Sequence, residues 1–367
     1  MITEQHSFLF PDTYPLERLG PLEKLLFFDI ETTGFSGDYS RLYLIGCTCF
    51  RQGTWQLSQW FADSDGAERD ILEAFLEFVK GFSVLVHYNG DRFDIPFLQK
   101  RCLFYGLPWD VSGFVSVDIY RRIRPYGNIL GLDSLKQKSI EHFLGIYRQD
   151  MYSGGELIDV YGDYLATGED RLYHMLMLHN REDLEGMPFI LPILFYGDFL
   201  EGDFVLEVQQ TLTQTDIFGE EDSSLCLTMK SGETVPVPVE WQTSRGAFKA
   251  QDNMLTLTVP LFEGRMKYFY PDYKNYYYLP CEDRAIHKSV GTYVERQARR
   301  QATAKTCYTY RESCFLAQPQ GLWTPAFRKD YRDRQQYAEY APELFHNQEK
   351  LKAYLLWAME RGESSNP

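Results

Sequence analysis

Short apolar runs separated by turn residues organise the first half of the chain. Residues 25–31, 41–49 and 55–62 carry the aliphatic and aromatic side chains of strands, with Ser36-Gly37-Asp38 and Gln52-Gly53 as turns between them. The period then changes. Ile71, Leu72, Phe75, Phe78 and Val79 keep helical spacing and predict an amphipathic helix over 66–80. A short strand at 83–87, a loop and a helix over 95–105 follow. VSVD at 115–118 reads as a last strand, and the remainder to about 196 reads as helical. A three-stranded meander followed by strands alternating with helices predicts an α/β domain, a mixed sheet covered by helices.

The second half changes character. Residues 204–213, 225–230, 255–259 and 266–270 read as strands, and PDYKN at 271–275 as a hairpin loop leading into YYYLP at 276–280. VPVPV at 235–239 fits only an edge or a loop, because proline cannot donate into a ladder. Residues 285–304 look helical, and 342–361 looks like a closing amphipathic helix. A boundary near 197–203 divides the chain into domains 1–200 and 201–367, the second a smaller, β-rich α+β domain with a possible role in substrate binding or interaction. There are no internal repeats or low-complexity tracts. No apolar run approaches a membrane span; MPFILPILFY at 187–196 is short and broken by Pro188 and Pro192. The N-terminus lacks a basic segment and a cleavage-like site, so no signal peptide is expected.

Composition adds a compartment and a charge asymmetry. Seven cysteines, an odd number with no CxxC, fit a reducing cytoplasm. Cys47 and Cys49 would share one strand face as small core residues, and the four later cysteines match no metal-ligand spacing. The net charge of −15 alone argues against nucleic acid as a partner. Its distribution argues otherwise. Residues 1–200 carry 17 Lys/Arg against 29 Asp/Glu, while 284–334 hold eleven basic residues and four acids. An acidic half beside a basic segment suits a metal centre near a polyanion-binding surface; a solvated charged face is the plainer alternative.

The chemistry concentrates in three places. In FFDIETTG at 27–34, Asp29 and Glu31 are two apart on a strand and share a face. Two buried like charges repel and lose hydration, a cost that a hard cation such as Mg²⁺ or Mn²⁺ removes. A solvated strand end is the bland alternative. In HYNGDRFDIPFL at 87–98, Asp94 stands at a helix start, where a carboxylate serves equally as a cap. In LHNREDLEG at 178–186, His179 and Asp183 lie about 40° apart around a helix and share a face. A lone pair of this kind is usually surface electrostatics; beside two other acidic sites it becomes a fourth carboxylate with its general base. Asn180 and Glu182 fall on other helix faces and are weaker candidates. Asp118 belongs either to an outer shell or, more simply, caps the helix beginning at Ile119.

DIETTG, NGDRFD and a base four residues before an aspartate together resemble the three motifs of the DEDD superfamily of 3′–5′ exonucleases, on a ribonuclease H-like fold. The resemblance covers roughly residues 20–195 and is greatest to the YprB-like group of predicted bacterial exonucleases. The N-x-x-x-F-D form from Asn89 to Asp94 is similar to that of proofreading domains in family B DNA polymerases. The family carboxylates fall on Asp29, Glu31, Asp94 and Asp183. One position departs: histidine-type enzymes place His five residues before the last Asp and tyrosine-type enzymes place Tyr four before it, whereas here His179 stands at the tyrosine spacing.

The resemblance implies hydrolysis of a phosphodiester with two divalent cations, Mg²⁺ or Mn²⁺, about 3.5–4 Å apart. Asp29 would bridge both, Glu31 and Asp183 would serve the nucleophile side, Asp94 would support the second ion, and His179 would be the base. Backbone around Thr32 and Thr33 would hold the terminal nucleotide, with Asn89 nearby, and single-stranded 3′ ends of nucleic acid are the expected partner. In the second domain, Arg296, Arg299 and Arg300 would share one helix side beside Tyr268, Tyr270, Tyr276 and Tyr278, a pattern that suits single strands as well as ordinary cross-strand packing. Two rivals stand beside a cytoplasmic exonuclease: an inactive nucleic-acid-binding adaptor and a structure-specific endonuclease.

Overall fold

In the computed structural model, which describes residues 1–147, 154–215 and 221–360, the chain divides into two units, Met1–Leu200 and Glu201–Pro367. The first is built on a six-stranded mixed sheet. Its strands are β1 (Ile2–Phe8), β2 (Leu25–Thr32), β3 (Leu42–Arg51), β4 (Thr54–Phe61), β5 (Val84–His87) and β6 (Val115–Asp118), in the order β1-β4-β3-β2-β5-β6. β1 to β4 pair antiparallel, and β5 and β6 continue parallel to β2. β2 is central and flanked by apolar layers, which is why LLFFDI reads as an unbroken apolar run rather than an alternating one. Phe28 points to one face and meets Phe75 of helix α1 (Glu68–Val79), their ring centroids 6.0 Å apart. Asp29 points to the other face.

β1 was not expected. ITEQHSF has no apolar alternation, and on the sheet edge most of its residues are exposed, so no hydrophobic pattern marks it. Cys47 and Cys49 are buried on one face of β3, and no cysteine among the described residues is in a disulfide.

After α1 come α2 (Asp94–Phe104), then the short helices α3 (Ile119–Ile123), α4 (Gly127–Leu130) and α5 (Gln137–Phe143), and the longer α6 (Gly154–Thr167) and α7 (Asp170–Ile190), with α8 (Phe195–Glu201) closing the run. α7 crosses β2, β3 and β4. It lies close over β3 because Gly46 has no side chain. A Cβ there would come within 2.1 Å of Asn180 Oδ1 and 2.3 Å of Leu184 Cδ1. Gly46 is also the cross-strand partner of Asp29, so the closest approach of helix to sheet falls beside that carboxylate.

The second unit holds a seven-stranded and a three-stranded sheet. In the larger, β7 (Phe204–Thr215) pairs with β8 (Glu221–Ser231), and β9 (Val239–Gln242) and β10 (Ala247–Gln251) lead to β11 (Met254–Phe269). Residues 255–259 and 266–270, read as two strands, belong to this single strand; it runs through Pro260, pairing first with β8 and β10 and then with a strand over Tyr308–Gln318. The segment 271–275 is therefore not a hairpin loop. The strand that follows it, β12 (Tyr276–Leu279), pairs with β13 (Arg284–His287) and β14 (Arg300–Gln301) in the separate small sheet.

That pairing also removes the helix expected over 285–304. Ile286, Val290, Val294 and Ala298 recur every four residues and imitate a helical stripe, but Gly291 and Thr292 interrupt it with weak helix formers. The tyrosine-rich β12 takes its backbone partners from the same segment. What remains helical is α9 (Lys288–Gly291) and a 3₁₀ turn over Arg296–Ala298. The strand over Tyr308–Gln318 is β15, and β16 (Gln336–Glu339) lies beside it. The expected closing helix over 342–361 begins as a 3₁₀ turn over Pro342–Phe345 and becomes α10 (Gln348–Met359), capped by Asn347 Oδ1 accepting from the Lys350 N–H at 3.0 Å; Arg361 lies outside the described residues.

Candidate active site

The N-terminal unit brings Asp29, Glu31, Asp94, His179 and Asp183 together from three elements. The strand places Asp29 and Glu31 on the face covered by α7, as their two-residue spacing requires. A register shift between Glu31 and Thr32 bulges the ladder, which resumes at Thr32 opposite Leu42. Asp94 is the first residue of α2 and is buried. Its Oδ1 accepts the backbone N–H of Ile30 at 3.3 Å, which ties the helix start to the middle of β2. His179 is buried on α7, its Nε2 3.4 Å from Asp183 Oδ2 and 3.6 Å from Glu31 Oε1. Glu31, His179 and Asp183 offer ligand atoms within 4.8 Å of one another.

Crowding of like charges sets the electrostatics. Burial, and then the charges of Asp183, Glu31 and Asp94, hold the Asp29 carboxyl well above the usual carboxylate range. Burial pushes Asp94 up to about 7, against the stabilising backbone N–H groups of Asp94 itself and Ile30, with Asp118 and Asp183 adding to the rise. These groups are held together at a cost that an apolar or hydrogen-bonded core would not carry.

One neighbour of Asp29 was not anticipated. Asn180, set aside as lying on another helix face, is fully buried and donates from Nδ2 to Asp29 Oδ2 at 2.9 Å. Its Oδ1 in turn accepts from Gln59 Nε2 at 2.9 Å, while Gln59 also donates to the Met177 carbonyl at 3.1 Å. Gln59, Gly46 and Asp29 are successive cross-strand partners on β4, β3 and β2. The relay therefore passes over the glycine and fixes which end of the Asn180 amide faces the carboxylate. Gln137 of α5 also reaches the site, donating from Nε2 to the Asp183 carbonyl at 2.9 Å. Gln59 and Gln137 belong to no acidic motif, and Asn180 was passed over inside one; the sign in the sequence was Gln59 on a strand otherwise apolar on that face.

A cleft of about 670 Å³ opens over the carboxylates, lined by Glu31, Thr32, Phe35, Phe93, His179 and Asp183 among others, with Lys136 and Lys138 on its rim. Thr32 is part of this wall. Thr33 is not: its hydroxyl accepts the Arg41 N–H at 2.9 Å. Asn89 has φ 62° and lines a neighbouring cleft instead. Asp118 caps α3 through the Arg121 N–H at 3.1 Å and also accepts from the N–H groups of Asn89 at 3.0 Å and Asp91 at 3.2 Å. Its oxygens are thereby committed to bracing the loop that leads to Asp94. His87 beside it takes the Gly90 N–H on Nδ1 at 3.0 Å, so this second cluster of His87, Asp91 and Asp118 is a brace by its bonding.

The arginines expected on one helix side are dispersed. Arg296 is in the 3₁₀ turn and Arg300 in β14. Arg299 is occupied within its own unit: its guanidinium lies 4.6 Å from the Tyr277 ring centroid and donates to the Gly291 carbonyl. The tyrosines pack on one another, with Tyr270 and Tyr276 stacked at 4.5 Å, the cross-strand alternative to a binding platform.

Residues 26–194 match the family model of the RNase_H superfamily. The N-terminal unit has a ribonuclease H-like fold. Two curated DNA polymerases match segments of the chain. That of Archaeoglobus fulgidus is 32% identical over 95 residues, 22% of this chain and 12% of the polymerase. That of Ostreid herpesvirus 1 is 51% identical over 37 residues, 10% of this chain and 2% of the polymerase. The chain thus spans a small part of the length of these relatives. Among solved structures, the family B DNA polymerase of Pyrobaculum calidifontis is matched at a TM-score of 0.38 and 15% identity, over 70% of this chain and 35% of that one. An E. coli ExoI–ssDNA complex is matched at a TM-score of 0.27 and 12% identity, over 56% and 54%. Among the described residues no helix is long and apolar enough to cross a membrane.

Proposed function

We propose that this protein is a metal-dependent 3′–5′ exonuclease of the DEDD type, within the YprB-like group, that hydrolyses phosphodiester bonds of nucleic acid. The observation that carries the reading is the convergence of Asp29, Glu31, Asp94 and Asp183, drawn from three separate segments, into one cluster whose charges oppose one another, with Glu31 and Asp183 lining the cleft. The donor set fits hard divalent cations: carboxylate oxygens are what Mg²⁺ and Mn²⁺ prefer, and positive charge relieves the repulsion that raises Asp29 and Asp94. Asp29, Glu31, Asp94 and Asp183 would hold them. When bound, such ions supply charge stabilisation to the attacking and leaving oxygens of an in-line displacement.

The chain's own groups do the rest. His179 Nε2, facing the space between Asp183 and Glu31, takes the proton of the attacking water. Asn180 holds one oxygen of Asp29 and leaves the other for a cation. Phe35 and Phe93 give the cleft an apolar wall, and Lys136 and Lys138 add positive charge at its rim for a phosphate. The β-rich unit, with exposed Arg296 and Arg300, would grip or select the substrate. Unpaired thiols support work in the cytoplasm.

Digestion of labelled single-stranded DNA and RNA, each with one end blocked, in Mg²⁺ and in Mn²⁺, tests this. Stepwise loss from a free 3′ end, absent when that end is blocked, is expected. Cleavage that ignores end-blocking would make it an endonuclease, and binding without cleavage in either metal would make it an adaptor.

A further inference from the structure

A second cleft, about 480 Å³, opens beside the carboxylate site. Lys136 and Gln137 line both, so a single ridge separates them. The far side of that ridge is formed by Tyr88, Asn89, Arg92 and Tyr120. The loop that carries Tyr88, Asn89 and Arg92 is firmly built, and Tyr120 stands on α3 beside it. The N–H groups of Asn89 and Asp91 are held by Asp118, and the Tyr88 hydroxyl donates to the Leu135 carbonyl, which ties the floor of the cleft to the ridge. The rings of Tyr88 and Tyr120 meet edge to face, 6.1 Å between centroids.

The charges of this cleft are unbalanced. The acids of the loop are already used: Asp118 accepts three backbone N–H groups, and Asp91 Oδ2 accepts from Arg121 at 3.0 Å. The Arg92 guanidinium and the Lys136 ammonium have no hydrogen-bond or ion-pair partner among the described residues, and both are exposed. Two uncommitted cations beside two tyrosine rings, in a half of the chain with 29 acids against 17 bases, form a local anion site with aromatic faces. Phosphate contacts of this kind position a nucleic-acid backbone, and aromatic faces take a base without regard to its identity.

We propose that this cleft is a subsite for the nucleotide adjoining the one being removed, with its phosphodiester between Arg92 and Lys136 and its base or sugar against Tyr120. The inference rests on the reading of the carboxylate cleft as a phosphodiester site. The substrate strand then crosses the Lys136–Gln137 ridge. A mononucleotide ester fills only the carboxylate cleft, and an oligonucleotide fills both.

The test compares thymidine 5′-(p-nitrophenyl phosphate) with a single-stranded hexanucleotide, in the full chain and in Arg92→Glu, Arg92→Lys and Tyr120→Ala. Turnover is measured in Mn²⁺ and hexanucleotide binding by fluorescence anisotropy in Ca²⁺. In Arg92→Glu the ratio of kcat/KM on hexanucleotide to that on the ester should fall by about tenfold or more, with the salt dependence of binding shallower by about one phosphate contact. Arg92→Lys should recover part of the loss, and Tyr120→Ala should lower the ratio without changing the salt slope. An unchanged ratio and slope in Arg92→Glu, in a wild type that cleaves both substrates, would overturn the subsite. A wild type that binds the hexanucleotide through Arg92 but cleaves neither substrate would keep the subsite and overturn the nuclease. Absence of both binding and turnover would overturn both.

Discussion

Asp94→Asn should make the metal-free protein less sensitive to rising pH, and the structure sets the size of the effect. Asp94 is buried, and its carboxyl is pushed from the ordinary 3.8 up to about 7 by that burial. The folded chain therefore holds a proton that the unfolded chain has lost, across the whole interval between the two values. Its contribution to stability is complete below pH 4 and is lost as the pH rises through 7. At 1.36 kcal/mol per unit, about 4 kcal/mol is at stake, of which about 3 kcal/mol falls between pH 5 and pH 8. Asparagine cannot ionise but keeps an oxygen that can accept the Ile30 N–H, so the variant removes the charge and preserves the bond. Urea unfolding of both proteins in EDTA at pH 5, 6, 7 and 8 reads the difference, since groups that do not interact with Asp94 cancel. Wild type should lose up to about 3 kcal/mol more than Asp94→Asn across that range. Millimolar Mn²⁺ should restore wild type at pH 8, by about 2.7 kcal/mol if the ion is present at a hundred times its Kd, and should restore Asp94→Asn less. Parallel pH profiles for the two proteins would refute the argument that Asp94 is a desolvated carboxyl held for a cation.

Asp29→Ala or Asp183→Ala should abolish hydrolysis with the circular dichroism spectrum unchanged; retained activity would remove the metal-site assignment. His179→Ala should lower kcat by about 10²–10⁴, the usual worth of a general base, and an unaltered rate would place the base elsewhere. Gly46→Ala should destabilise the N-terminal unit by about 1–3 kcal/mol, because its Cβ would overlap Asn180 and Leu184 and overpacking costs that much; an unfolding midpoint equal to wild type would show that α7 yields at no cost. Asn180→Leu should cost about 1–3 kcal/mol through the one Gln59 N–H left without its acceptor and should also weaken Mn²⁺ binding by calorimetry, a loss that mere packing damage elsewhere would not produce.

How much was legible depended on whether a local period carried the information. The strand bearing Asp29 and Glu31 announced itself because eight successive residues, buried on both faces save one, leave no ambiguity of face. The first helix was equally plain, since Ile71, Leu72 and Phe75 are its buried stripe. The edge strand over Ile2–Phe8 was invisible because four of its seven residues are exposed and its few packed side chains form no alternation. The segment after Arg284 was misread because an every-fourth-residue apolar pattern imitates a helix, while its ends pair instead with the tyrosine strand over Tyr276–Leu279: which backbone a strand pairs with is a non-local fact. Asn180 and Gln59 were missed for a related reason. The bond from Asn180 to Asp29 exists only because Gly46 lets the helix down onto the sheet, and a missing side chain gives no hydrophobic signal.

The relay across Gly46 also supplies a natural gauge. Asn180 is fully buried, so its side-chain amide protons are shielded from solvent exchange, and one of them ends on Asp29. In an NMR spectrum that amide should give a slowly exchanging pair of signals whose positions follow the charge on Asp29. Cation binding could then be watched from inside the fold, with no probe attached and no residue of the cleft altered.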